Sequence, residues 1–163
     1  NSTTKLLARN GTDRIVFKDA ETFANQVQIS DKGVLYAITN EGKLWNGNVN
    51  GTSTTYEIPN LNTTSKILAH NGGYYIANEN TLSFTNDAKT INIKSPILTI
   101  TKSNDFIVLT TDIELYLIQD KEIIEGFPID SDGLFKISDI DNDEKINIVN
   151  IKNGFIYNYE LDN

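Results

Sequence analysis

The sequence has no cysteine and no methionine, one histidine, one tryptophan and three prolines. Without cysteine there are no disulfides, no zinc–thiolate centre and no thiol nucleophile, although the compartment stays open. With one histidine, any Ser-His-Asp arrangement would have to be assembled around His70. A chain without methionine is not expected to begin at a translational start. It is expected to be a mature form, a proteolytic piece or the ordered part of a longer polypeptide, and no signal peptide is there to be read. No apolar run approaches the roughly 18 residues of a membrane helix, so no membrane insertion is expected. Basic residues are few, 14 Lys and Arg against 22 Asp and Glu, for a net charge of −8. That balance argues against nucleic acid, which selects a basic stripe, and against anionic membranes. The 163 residues suit a single domain with a real core.

What is present is a rhythm of short apolar runs separated by turn residues. Lys5–Arg9 and Arg14–Lys18 flank Asn10-Gly11, a strong hairpin signal. Gln26–Ile29, Gly33–Thr39, Gly42–Trp45 and Thr54–Ile58 then read as four strands closed by Pro59. Lys66–Ala69, Tyr74–Ala77, Thr81–Phe84 and Thr90–Ile93 repeat the order and close at Pro96. Ile97–Thr101, Phe106–Thr110, Glu114–Ile118 and Glu122–Ile124 end at Pro128, and Leu134–Ser138, Ile146–Asn150 and Phe155–Tyr159 follow. No window carries a 3.6-residue apolar period, so almost no helix is expected.

Four short strands repeated with a period of roughly 33 to 41 residues predict an all-β fold, a β-propeller of four-stranded antiparallel blades. The second strands align as Val34–Ile38, Tyr74–Ala77, Phe106–Leu109 and Ile146–Val149. A β-sandwich is the rival architecture. The blade-like units are residues 24–59, 64–96, 97–128 and 129–161, with 1–18 supplying strands of a preceding or a closing blade. The expected arrangement is a segment of a larger propeller. The alternative is a closed four-bladed ring in which Arg14–Lys18 completes the last blade.

Near the C-terminus, Asp139-Ile-Asp-Asn-Asp-Glu-Lys-Ile-Asn147 places carboxylates at every second position. A hard cation takes six to eight oxygens, which a curling loop supplies from alternate positions. Here these are the side chains of Asp139, Asp141, Asp143 and Asn147 and the backbone carbonyl of Lys145. Apolar residues on both sides make it strand, charged loop, strand. It is not an EF-hand, because Asn150 stands where the bidentate Glu would be. The bland alternative is a solvated acidic hairpin turn. The pattern resembles the calcium-loop repeat of FG-GAP and VCBS-type β-propellers. Gly126-Phe127-Pro128 looks like the G-[FW]-P that leads into such a blade, and Asn153-Gly154-Phe-Ile-Tyr157 like the hairpin that follows. Asn142 and Glu144 depart from the glycines usual in that family. The resemblance implies a Ca2+ site, a secreted or cell-envelope location, and more blades than four.

Other chemistry is sparse. His70 reads as a surface or loop-packed residue, and Trp45 as core between sheets. Tyr74 and Tyr75 must point to opposite faces of their strand. Asp31-Lys-Gly33 and Ser103-Asn-Asp105 share only part of the sialidase Asp-box pattern, and the sequons at Asn1, Asn10, Asn50 and Asn62 matter only in a eukaryotic secreted protein. The function expected is therefore that of a non-catalytic interaction or scaffold module, with no enzyme activity. Its partners would be a protein or glycan on one propeller face and the rest of the parent chain. The alternative is part of a propeller-fold carbohydrate-active enzyme, a lyase or glycosidase.

Overall fold

The computed structural model describes residues 23–85, 87–103 and 105–130, together with the backbone of the strands at 6–10, 13–17, 134–138, 146–152 and 155–161. All regular structure in these residues is β, and among the described residues there is no helix. β1 (Leu6–Asn10) and β2 (Asp13–Phe17) pair from Leu6↔Phe17 to Asn10↔Asp13 as a two-stranded sheet. β3 (Gln28–Ile29), β4 (Leu35–Ile38), β5 (Leu44–Gly47) and β6 (Ser53–Tyr56) form a four-stranded antiparallel sheet in chain order. β7 (Lys66–His70), β8 (Gly73–Asn78), β9 (Thr81–Phe84) and β10 (Thr90–Asn92) form the next. β11 (Thr99–Ser103), β12 (Phe106–Thr110), β13 (Glu114–Gln119) and β14 (Glu122–Ile123) form the third, with β15 (Ile129–Asp130) also on β13. β16 (Leu134–Ser138), β17 (Ile146–Lys152) and β18 (Phe155–Leu161) make a three-stranded sheet. In the sheet pairing, β2 bonds to β1 and is not a strand of that last sheet.

The meander follows from turn chemistry. Asn71 and Gly72 (φ 48° and 79°) and Asp120 and Lys121 (φ 49° and 64°) are two-residue connections with both residues left-handed. Such turns match the twist of the flanking strands and bring His70 opposite Gly73 and Gln119 opposite Glu122. The β4–β5 connection is longer, with Gly42 alone left-handed; Thr39 Oγ1 accepts from the backbone N–H of Lys43 at 3.1 Å while the Gly42 N–H donates to the Thr39 carbonyl at 2.9 Å.

Burial is graded across the sheets. In β12 the residues Phe106 to Leu109 are all buried, as are Leu115 to Ile118 in β13, so both faces of these strands are covered. β4 and β5 show the same pattern, whereas β6 and β14 have no buried residue. Continuous apolar runs such as Phe-Ile-Val-Leu belong to strands covered on both faces, alternation to strands with one wet face.

The chain packs as two compact units, residues 1–78 with 83–89 and residues 79–82 with 90–163. In the first unit, one face of the β3–β6 sheet buries Ala37 and Trp45 against Phe23, Val27 and Leu35. The Trp45 and Phe23 ring centroids lie 5.0 Å apart. The opposite face buries Tyr36, Ile38 and Leu44 against Ile67, Ala69 and Tyr74 of β7 and β8.

In the second unit Phe106, Val108, Leu115 and Leu117 pack with Ile124, Phe127 and Ile129. β15 was not anticipated. Leu115↔Ile129 and Glu114↔Asp130 continue, on β13, the outer edge that β14 begins at Ile118↔Ile123. Gly126-Phe127-Pro128 therefore lies between two segments of the third sheet's outer edge, and that sheet runs on to Asp130.

Candidate functional site

β7 is the first strand of its sheet, so one of its edges has no strand partner in that sheet. Unpaired backbone groups on such an edge require partners. They are supplied by a row of polar-tipped residues on the β3–β6 sheet: Gln28 faces Tyr36 in register, and Tyr36 faces Asn46. Gln28 Nε2 donates to the Ile67 carbonyl at 3.2 Å. The Ala69 backbone N–H donates to the Tyr36 hydroxyl oxygen at 3.1 Å, and that hydroxyl donates to Gln28 Oε1 at 3.0 Å. From the other side, the Tyr74 hydroxyl donates to Asn46 Oδ1 at 3.0 Å. The Tyr36 and Tyr74 rings meet edge-on at 5.4 Å. Burial, ahead of every other influence, raises the pKa of both phenols above the ordinary 10, so both stay neutral hydrogen-bond donors.

Beside this polar row the β3–β4 and β7–β8 turns enclose a recess of about 410 Å³. Its walls are Ser30, Asp31, Lys32 and Val34, then Asn46, and then Ala69 to Tyr74. Both turns are held in place. Ser30 N–H donates to the Val34 carbonyl at 2.8 Å, Gly33 N–H to the Ser30 carbonyl at 2.9 Å, and Val34 N–H to Ser30 Oγ at 3.1 Å. The left-handed Asn71-Gly72 pair fixes the second turn. The volume falls within the range of small-molecule sites, roughly 300–1,000 Å³.

The residues singled out by sequence are distributed differently. Asp139, Asp141, Asp143 and Lys145 lie outside the described residues. Asn147 is in β17, in backbone register with Ser138 and Glu160. Among the described residues no group of three or more His, Asp or Glu could hold a metal ion. Trp45 is core at 1% exposure. Of its two expected placements, surface or loop-packed, His70 takes the packed one: it is buried at 7% exposure beside its turn, on the sheet face that carries Tyr75 and Phe84. Tyr75 is buried there and Tyr74 points to the opposite face, toward Asn46. Asp31, from the partial Asp-box, lines the recess.

Sequence reasoning did not find the recess. Its two turns are each legible as turns, and both connect the first and second strands of consecutive repeats. That equivalence was the available signal.

A second polar cluster lies in the other unit. Tyr116 donates to Glu114 Oε2, and Lys94 Nζ approaches Glu114 Oε1 at 3.7 Å. Burial first, then the hydrogen bond to the Glu114 carboxylate and its charge, push the Tyr116 phenol up to about 12. This arrangement locks the side chains together.

No protein-family model matches the chain, and no curated protein is significantly similar to it.

Proposed function

We propose that the chain is a non-catalytic interaction module of β-propeller type. It would be about four blades of a larger ring in a secreted or cell-surface protein, presenting loop-end surfaces to a protein or glycan. The observation that carries this reading is the burial profile. In the β3–β6 and β11–β14 sheets the second and third strands are covered on both faces and the fourth has no buried residue, which suits blades stacked around an axis. The recess between the turns of successive sheets gives such a module a place to bind, since binding residues concentrate on loops held by a rigid scaffold.

Calcium is part of the proposal. The backbone register Ser138↔Asn147 supports a charged loop closed between two antiparallel strands. Asp139, Asp141 and Asp143 with the Asn147 side chain and the Lys145 carbonyl fit a hard cation, which would neutralise carboxylates held close together. An extracellular-type site of this kind has a Kd on the order of 10⁻⁴ to 10⁻³ M.

The test is a glycan and cell-surface-protein array probed with the whole chain in calcium, with the same sugars assayed for cleavage. Retention without new reducing ends or unsaturated products supports the module. Product release would replace it with the lyase or glycosidase reading, and no retention on either array would remove the binding function.

A further inference from the structure

We propose that the recess between the Ser30–Val34 and Asn71-Gly72 turns binds a short, uncharged saccharide. This rests on the interaction-module reading above and assigns it a ligand class and a place.

The wall chemistry selects the class. Asp31 and Lys32 bring one charge of each sign to the wall, so its formal charges sum to zero and select for neither an anion nor a cation. The remaining polar side chains are Ser30, Asn46, Asn71 and Tyr74, the ring of His70 being turned to the opposite face toward Tyr75. Amides and hydroxyls both donate and accept, which matches a ligand whose every hydroxyl does the same. The Tyr74 hydroxyl spends its proton on Asn46 Oδ1, and this turns the Asn46 Nδ2 group into the donor left for a ligand. The other walls are apolar: Val34, Ala69 and the half-buried Tyr74 ring. A pyranose presents this same combination, a C–H face for an aromatic or aliphatic wall and hydroxyls around its edge. Aromatic residues with one wet, polar end suit such amphipathic ligands.

The recess is also set before any ligand arrives. The Ser30–Val34 turn is closed by its own hydrogen bonds, the Asn71-Gly72 turn is set by its left-handed backbone and the His70↔Gly73 register, and Tyr74 is held by Asn46 on one side and the Tyr36 ring on the other. Little ordering would be required on binding.

The experiment titrates the isotopically labelled chain with the methyl glycosides of glucose, galactose, mannose and N-acetylglucosamine, and with glucuronate and glucosamine as charged probes. The Asn46 and Asn71 side-chain amide signals are followed by NMR. A saturable shift of both with at least one neutral glycoside is expected. Asn71→Gly keeps the left-handed backbone while removing the amide, so the turn survives, and it should weaken binding about tenfold, the scale of one lost hydrogen bond. The proposal is overturned if no neutral glycoside gives a saturable shift at these amides. Unchanged affinity in Asn71→Gly, or tenfold tighter binding of a charged sugar, also overturns it. Saturable binding that shifts other residues and survives Asn71→Gly would reject the recess while leaving the interaction module standing.

Discussion

The Tyr36 hydroxyl oxygen receives the backbone N–H of Ala69 at 3.1 Å, linking residues 33 positions apart in sequence. A side chain of one sheet thus satisfies the open edge of the next. Tyr36→Phe keeps the ring and the edge-on contact with Tyr74 but leaves the Ala69 N–H and Gln28 Oε1 without that partner. A loss of about 1–3 kcal/mol is expected, the scale of leaving a buried polar group unsatisfied. Urea unfolding measures it, and an unchanged midpoint would show that water replaces the hydroxyl.

Gly73 is needed for space. A Cβ at this position would lie 2.7 Å from Phe84 Cζ and 2.8 Å from Thr85 Oγ1. Gly73→Ala should therefore cost about 1–3 kcal/mol through overpacking. Phe84→Leu removes the obstructing ring atom, so the alanine should cost less in that background. A double-mutant cycle gives the coupling, and strict additivity would mean that the ring moves aside freely.

The raised Tyr116 pKa sets a high-pH limit on stability. Between the ordinary value of 10 and about 12 the folded chain keeps a proton that the unfolded chain has lost. Stability from this group is thus intact below pH 10 and falls as the pH climbs, at up to about 1.4 kcal/mol per pH unit. Tyr36 and Tyr74 shift in the same direction and add to the fall. Unfolding midpoints measured across this range should decline. Glu114→Gln removes the neighbouring charge and should move phenolate absorbance to lower pH, and an unmoved titration would leave burial as the whole cause.

Most strand positions were legible because turn residues punctuate them. Asn71-Gly72 and Pro96 bound runs that became β7 to β10 nearly residue for residue. The second strands aligned by pattern are β4, β8, β12 and β17, each flanked on both sides within its sheet. β15 is not legible because Ile129-Asp130 is too short to show any period, and only its pairing with Glu114 and Leu115 gives it a strand conformation. Whether His70 lies on the surface or packs beside its turn stays open in the sequence, because local sequence does not tell which strand face a residue before a turn will occupy. The recess was hidden for a related reason: its walls meet only when successive sheets pack, through Gln28, Tyr36 and Asn46.

Calcium should stabilise the chain if the Asp139–Asn147 loop holds it. At a hundredfold excess over Kd the gain is about 2.7 kcal/mol. Magnesium should do less, because it requires tight octahedral geometry and gives up water reluctantly. Asp141→Ala should abolish the calcium response and cost little in chelator, where one repelling carboxylate has been removed. A melting temperature unmoved by millimolar calcium at matched ionic strength would leave only an acidic hairpin.

Burial falls away on both sides of the central pairs, toward β3 and β6 in one sheet and toward β11 and β14 in the other, so these sheets come apart from their edges. Opening an outer strand exposes little apolar surface, so its amide protons exchange through small excursions. Those of β12 and β13 wait for a far larger opening. The same gradient divides the chain's freedom to vary. Outer strands can accept charge, added length or a fused tag, whereas a change in the inner pair is felt on both sides of the sheet.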